Sequence, residues 1–200
     1  MQAAYQGAPL GSSYRLVEPV GEGAVGTVWT ATRSDTSALF AAKLLKPEYA
    51  DSPEFLERFV RERTVLMQLQ HSSIVPVADM IVEGGNLAII MEYQHGGTLR
   101  DMLRTLGTIA PGTALAMMER VLLALEQAHR KKVLHLDIKP DNVLLSGNPT
   151  ETFPEQVRVA DFGIAELTGD GPASSTTGRG SYGTPMYMSP ELKHYGTAAE

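Results

Sequence analysis

The run His-Leu-Asp-Ile-Lys-Pro-Asp-Asn-Val-Leu-Leu at positions 135–145 constrains this chain more than any other stretch. It places a carboxylate (Asp137), an ammonium (Lys139) and a carboxamide (Asn142) on one short loop that leads straight into an apolar strand, Val143-Leu144-Leu145. Moving a phosphoryl group from a nucleotide to a hydroxyl needs three things: a group to orient the hydroxyl and accept its proton, a cation beside the transferring phosphate, and a ligand for the accompanying magnesium. Asp137, Lys139 and Asn142 suit those roles in order. An acidic, amide-rich turn entering a strand is also ordinary turn chemistry, so the rest of the chain has to decide between the two readings.

Composition narrows the field. At 200 residues, 43% apolar and 20% charged, the chain is expected to form one globular domain or two small lobes. A formal net charge of -6 leaves no basic footprint for nucleic acid, so an anionic nucleotide would have to be held by local donors. The absence of cysteine excludes disulfides, thiolate metal sites and cysteine nucleophiles. The start of the chain lacks a basic region followed by an apolar segment, and no apolar run approaches the roughly 18 residues of a membrane span. A cytoplasmic location with no membrane segment is the expectation.

Residues 1–13, small and polar with Gly and Pro, read as a flexible tail. Tyr14-Arg15-Leu16-Val17 and Gly26-Thr27-Val28-Trp29-Thr30-Ala31 read as strands joined by Gly21-Glu22-Gly23-Ala24-Val25-Gly26. Its three glycines have GxGxxG spacing and put no side chain in the way of a phosphate. A dinucleotide fingerprint would run from strand into helix, whereas here a β-rich segment follows. The next strand, 39–45, is apolar except for Lys43. Ser52-Pro53-Glu54 supplies an N-cap, a first-turn proline and an early carboxylate for a helix expected to reach about Gln70. Phe55, Phe59, Leu66 and Leu69 form its apolar stripe. Glu62 falls on the same stripe, where a bare carboxylate is costly. Lys43 is its candidate partner, although Arg61 and Arg63 flank it.

Strands are expected near 78–82 and 87–92 around a Gly84-Gly85-Asn86 turn. A short helix begins after Gly96-Gly97, and a long apolar-rich helix spans 113–132 with basic residues at its end. The methionines, nine in all, read as core filler. Beyond the 135–145 run, Val157-Arg158-Val159-Ala160 alternates as a strand and delivers Asp161-Phe162-Gly163. A Gly/Ser/Thr-rich stretch, 164–182, and Gly183-Thr184-Pro185-Met186-Tyr187-Met188-Ser189-Pro190-Glu191 follow.

These motifs, in this order, resemble the eukaryotic-type (Hanks-type) protein serine/threonine kinases. The resemblance implies an α+β, bilobal fold. An N-terminal lobe with an antiparallel sheet and one major helix spans 14–93, an incomplete, mainly helical lobe spans 94–200, and nucleotide lies in the cleft between them. It implies ATP and Mg2+, or Mn2+ in its place, as cofactors. Catalytic roles fall to Asp137, Lys139, Asn142, Lys43 and Glu62, and metal binding to Asn142 and Asp161. Nucleotide contacts fall to Gly21, Glu22, Gly23, Ala24, Gly26, Val28, Ala41, Lys43, Met91, Glu92, Gln94 and Leu144. Residues 164–182 would be the activation loop and 183–191 the substrate-docking segment, with Ser189 in place of the family's alanine. Lys139 and Thr184 match serine/threonine rather than tyrosine kinases, so the implied partners are proteins with Ser/Thr acceptors.

Two departures bear on activity. Leu136 replaces the arginine usual between the histidine and the aspartate, so activity should depend less on phosphorylation of the loop that holds Ser174, Ser175, Thr176, Thr177 and Ser181. The match also stops at Glu200, short of the family's later helices. A fragment or truncated product is therefore expected, with the apolar faces of helix 113–132 open to self-association. Two other functions compete with the kinase reading: a nucleotide-binding regulatory module without transfer activity, and a kinase acting on a small molecule or biosynthetic peptide.

Overall fold

The computed structural model describes residues 4–147, 156–163 and 186–190. The chain divides into two compact units, one of Met1–Met67 with Pro76–Tyr93 and the other of Gln68–Val75 with Gln94–Glu200.

The first unit is built on an antiparallel sheet of β1 (Pro9–Leu10), β2 (Tyr14–Glu22), β3 (Gly26–Arg33), β4 (Leu39–Leu45), β5 (Val77–Glu83) and β6 (Asn86–Glu92), in the order β1-β2-β3-β4-β6-β5. Alternation along β4 sorts its side chains between two faces. Ala42, with Phe40 and Leu44, joins the core of Leu10, Tyr14, Leu16, Ala31, Ile81, Ala88 and Ile90, and Ala41 and Lys43 take the other face. The β5–β6 hairpin turns on Gly84 and Gly85, both at positive φ (60° and 75°), a pair of conformations that glycine adopts without steric cost.

Two expectations for this unit change. The N-terminal tail is not wholly free: Leu10 pairs with Tyr14, and its side chain is 1% exposed. An apolar residue within reach of an unpaired edge strand gains more by burial than it loses in chain entropy. β2 also runs on to Glu22 instead of stopping near Val17. Pro19 is accommodated because the register shifts on either side of it, between Leu16 and Glu18 and between Pro19 and Gly21.

Helices α1 (Pro47–Ala50) and α2 (Pro53–Met67) follow β4. Ser52 caps α2 as its sequence suggests, its Oγ accepting from the Phe55 N–H at 3.3 Å. Phe55, Phe59 and Leu66 are buried along the helix. Leu69 is buried too, but lies just beyond the last turn, because the helix ends at Met67 rather than Gln70.

In the second unit, α3 (Leu99–Leu106) begins at a capping box in which Thr98 and Asp101 satisfy each other's backbone N–H groups. α4 (Pro111–Arg130) is closed at its C-terminal end by backbone bonds from the Lys131 N–H to the Ala128 carbonyl and from the Lys132 N–H to that of His129, both at 2.9 Å. Strands β7 (Val143–Leu145) and β8 (Val157–Val159) pair antiparallel. Residues 68–75 belong here because Val75 N–H donates to the Val159 carbonyl (2.9 Å) and Val159 N–H to that of Ser73 (2.8 Å). Leu115, Met118 and Leu122 of α4 are exposed, Leu115 at 73%. Among the described residues, no helix is long and apolar enough to cross a membrane.

Candidate active site

The segment after α4 is bent sharply. Leu136 sits at φ 62° and Asp161 at φ 66°, left-handed conformations that cost a non-glycine residue on the order of 1 kcal/mol or more each. His135 holds the bend. Its Nε2–H donates to the Ala160 carbonyl at 2.7 Å, since a carbonyl can only accept. Its Nδ1 is then left to accept from the Asp137 N–H at 3.3 Å. The ring is buried and meets Phe162 edge-on at 4.7 Å. Burial pushes the His135 pKa down, against the opposing pull of the Ala160 hydrogen bond and of Asp161 and Asp137, so the neutral form is the stable one.

Two side chains converge on Asp137. Lys139 Nζ lies 2.6 Å from Asp137 Oδ2. Asn142 Nδ2 donates to the Asp137 carbonyl at 2.8 Å and reaches Oδ2 at 3.3 Å. That use of Nδ2 leaves Oδ1 of Asn142 as the atom to offer a cation. Asn142 itself is buried in a 3-10 turn, Pro140–Asn142, that feeds β7. Asp161 arrives at the same place through the β7–β8 pairing: Val143 is opposite Val159, and Ala160 N–H donates to the Asn142 carbonyl at 2.9 Å. Among the described residues, no set of three or more His, Asp or Glu side chains is arranged to hold a metal by itself. An ion here would draw on Asn142, Asp161 and oxygens of a bound phosphate, the kind of shared shell magnesium accepts.

The first unit carries the other group of residues singled out from sequence. Val28 is opposite Lys43, and Ala41 is opposite Met91, which puts Val28, Ala41, Lys43 and Met91 on one face of the sheet, away from the Leu10–Ile90 core. Gly21 and Glu22 end β2, Ala24 is exposed in the turn, and Gly23 N–H closes that turn on the Gly26 carbonyl at 2.8 Å. The three loop glycines differ in what requires them. A Cβ on Gly26 would sit 1.9 Å from the Leu44 carbonyl oxygen, so close strand packing demands glycine there. A Cβ on Gly21 would meet nothing within 4 Å, one on Gly23 only the Gly26 oxygen at 3.8 Å, and neither residue has a positive φ. The protein's own packing does not explain glycine at 21 or 23. Glu92 is exposed at the end of β6; of the residues that fall in the second unit, Gln94 is buried and Leu144 is half-buried in β7.

Glu62 does not take the partner expected for it. Its carboxylate pairs with Arg61 Nε at 3.1 Å, and among the described residues no ion pair joins it to Lys43; Lys43 is engaged with other groups. Glu62 is only half-buried, so the desolvation that would force a specific partner is weak and an adjacent arginine is enough. Arg63 instead binds Asp79 of β5 at 2.8 Å.

Sequence reasoning passed over Arg100. It donates to both Asp141 oxygens (Nε at 3.3 Å to each, Nη2 at 2.9 Å to Oδ2), and Nη2 also donates to the Tyr187 hydroxyl at 2.9 Å. No local signal announces this, because the partners lie 41 and 87 positions away. Thr184, Glu191 and the Ser/Thr cluster of 174–181 lie outside the described residues.

Comparison with known proteins identifies the family. Residues 14–199 match the protein kinase domain family model. The serine/threonine-protein kinase PkaA of Streptomyces coelicolor is 40% identical over 194 residues, covering 92% of this chain and 35% of that protein. PknA of Mycobacterium tuberculosis, also a serine/threonine-protein kinase, is 35% identical over 190 residues, covering 92% of this chain and 42% of its own length. This chain thus spans well under half of either relative. A crystal structure of a point mutant of the M. tuberculosis PknI kinase domain superposes with a TM-score of 0.74 at 30% identity, covering 100% of this chain and 71% of that one. With the motifs, the fold and these relatives in agreement, the chain belongs to the protein kinase domain family.

Proposed function

We propose that the chain transfers the γ-phosphoryl group of Mg-ATP to Ser or Thr hydroxyls of proteins. Asp137 orients the acceptor hydroxyl and takes its proton as the oxygen bonds to phosphorus and the bond to the ADP oxygen breaks. Lys139, 2.6 Å from Asp137, supplies positive charge to the phosphoryl oxygens in flight. Asn142 Oδ1 and Asp161 hold the magnesium ion, which when bound offsets phosphate charge. In the first unit, Lys43 and the turn 21–26 are assigned to the nucleotide phosphates, Val28, Ala41 and Met91 to the base, and the Glu92 backbone to its edge.

The observation that carries this reading is the meeting of Lys139 and Asn142 on the Asp137 carboxylate, in a loop whose backbone His135 holds bent. Glycine at 21 and 23 without a packing reason supports phosphate approach at that turn. The test is transfer of labelled γ-phosphate to a Ser/Thr-containing protein by this chain and by its Asp137→Asn form. Loss of general-base chemistry should lower the rate on the order of 100-fold or more; equal rates would overturn the assignment. A second reading, a nucleotide-binding regulatory module, is favoured by one observation, the pairing of Glu62 with Arg61 instead of Lys43. ATP binding without any Asp137-dependent transfer would select it.

A further inference from the structure

Arg100 joins three separate parts of the second unit. It stands in the first turn of α3, whose start is fixed by the Thr98–Asp101 capping box. Its guanidinium grips the Asp141 carboxylate, in the turn residue immediately before Asn142. It also donates to the Tyr187 hydroxyl while its Cζ lies 5.6 Å from the centre of the Tyr187 ring. The hydrogen bond from Arg100 holds the Asp141 carboxyl below the usual carboxylate range, so the pair is fully ionised at neutral pH. Serving a carboxylate along one edge, a phenol with the same nitrogen and an aromatic face nearby takes a planar, multi-donor cation. Lysine, a point charge with no fork, cannot reproduce it.

We propose that Arg100 is a positioning residue that docks residues 186–190 onto the catalytic loop and thereby sets the affinity for the protein acceptor. Tyr187 belongs to the segment read as the acceptor-docking stretch, and Asp141 is covalently next to the residue assigned to the metal. One side chain thus ties the acceptor side of the site to its metal side. The kinetic part rests on the kinase reading above; the docking part does not. An exposed ion pair of this kind contributes little to global stability, which lets a positioning role be told apart from a structural one.

The experiment compares the wild-type chain with Arg100→Met, Arg100→Lys and Tyr187→Phe. Amide hydrogen exchange, measured without ligand, should quicken about tenfold at 186–190 in Arg100→Met, the loss of a charged hydrogen-bond pair. The unfolding midpoint and the exchange of α4 should stay as in wild type. Arg100→Lys should behave like Arg100→Met despite keeping the charge, and Tyr187→Phe, which keeps the ring, should lie between. In steady-state assays the KM for the protein acceptor should rise about tenfold, with the KM for ATP unchanged. Unaltered exchange at 186–190 in Arg100→Met overturns the docking role, and parallel rises in both KM values overturn the acceptor assignment. A wild-type chain with no transfer activity would sink the kinase reading, while the exchange measurement would still decide the docking.

Discussion

Replacing His135 with Phe should expose how much of the catalytic loop depends on one neutral imidazole. The ring is buried, and Phe retains its bulk and its edge contact with Phe162. Lost are the bond to the Ala160 carbonyl at 2.7 Å and the bond from the Asp137 N–H at 3.3 Å. Orphaning a buried backbone group costs about 1–3 kcal/mol, so the variant should be about 2–6 kcal/mol less stable at pH 8. The wild type should also lose stability in acid. His135 has its pKa lowered by burial, so the unfolded chain takes up a proton near pH 6.5 while the folded one resists. Stability from this group is full above the unfolded pKa and falls as pH drops from there to the lower folded value, by about 1.4 kcal/mol per pH unit inside that window. Protonation would also place an N–H at Nδ1 against the Asp137 N–H. Urea denaturation between about pH 8 and 5.5 measures both effects. A variant within about 0.5 kcal/mol of wild type at pH 8, or one that keeps the wild-type acid slope, would refute the argument.

Other substitutions separate packing from ligand contact. Gly26→Ala, which brings a Cβ to 1.9 Å from the Leu44 carbonyl oxygen, should cost about 3 kcal/mol or more by thermal unfolding. Gly21→Ala should leave stability within about 0.5 kcal/mol yet weaken ATP binding by titration calorimetry; equal stability losses at the two positions would contradict the distinction. Leu10→Ala should cost about 2–5 kcal/mol in chemical denaturation, whereas a truly free N-terminal tail would show no change.

Features set by short offsets along the chain were legible before any coordinates. Asp137, Lys139 and Asn142 lie within five positions of each other, and covalent geometry alone keeps them close. The same holds for the Ser52 cap on Phe55 and the paired glycines at 84 and 85. Choices among competing partners were not legible. That Glu62 pairs with Arg61, that Leu10 adds a strand beside Tyr14, that Gly26 is required by the Leu44 backbone and that Arg100 meets Tyr187 all depend on which groups the folded chain brings within a few ångströms. Local pattern names the chemistry a segment can perform. Each long-range contact wins or loses by about a kilocalorie against its competitors, and only the packed arrangement decides which of them form.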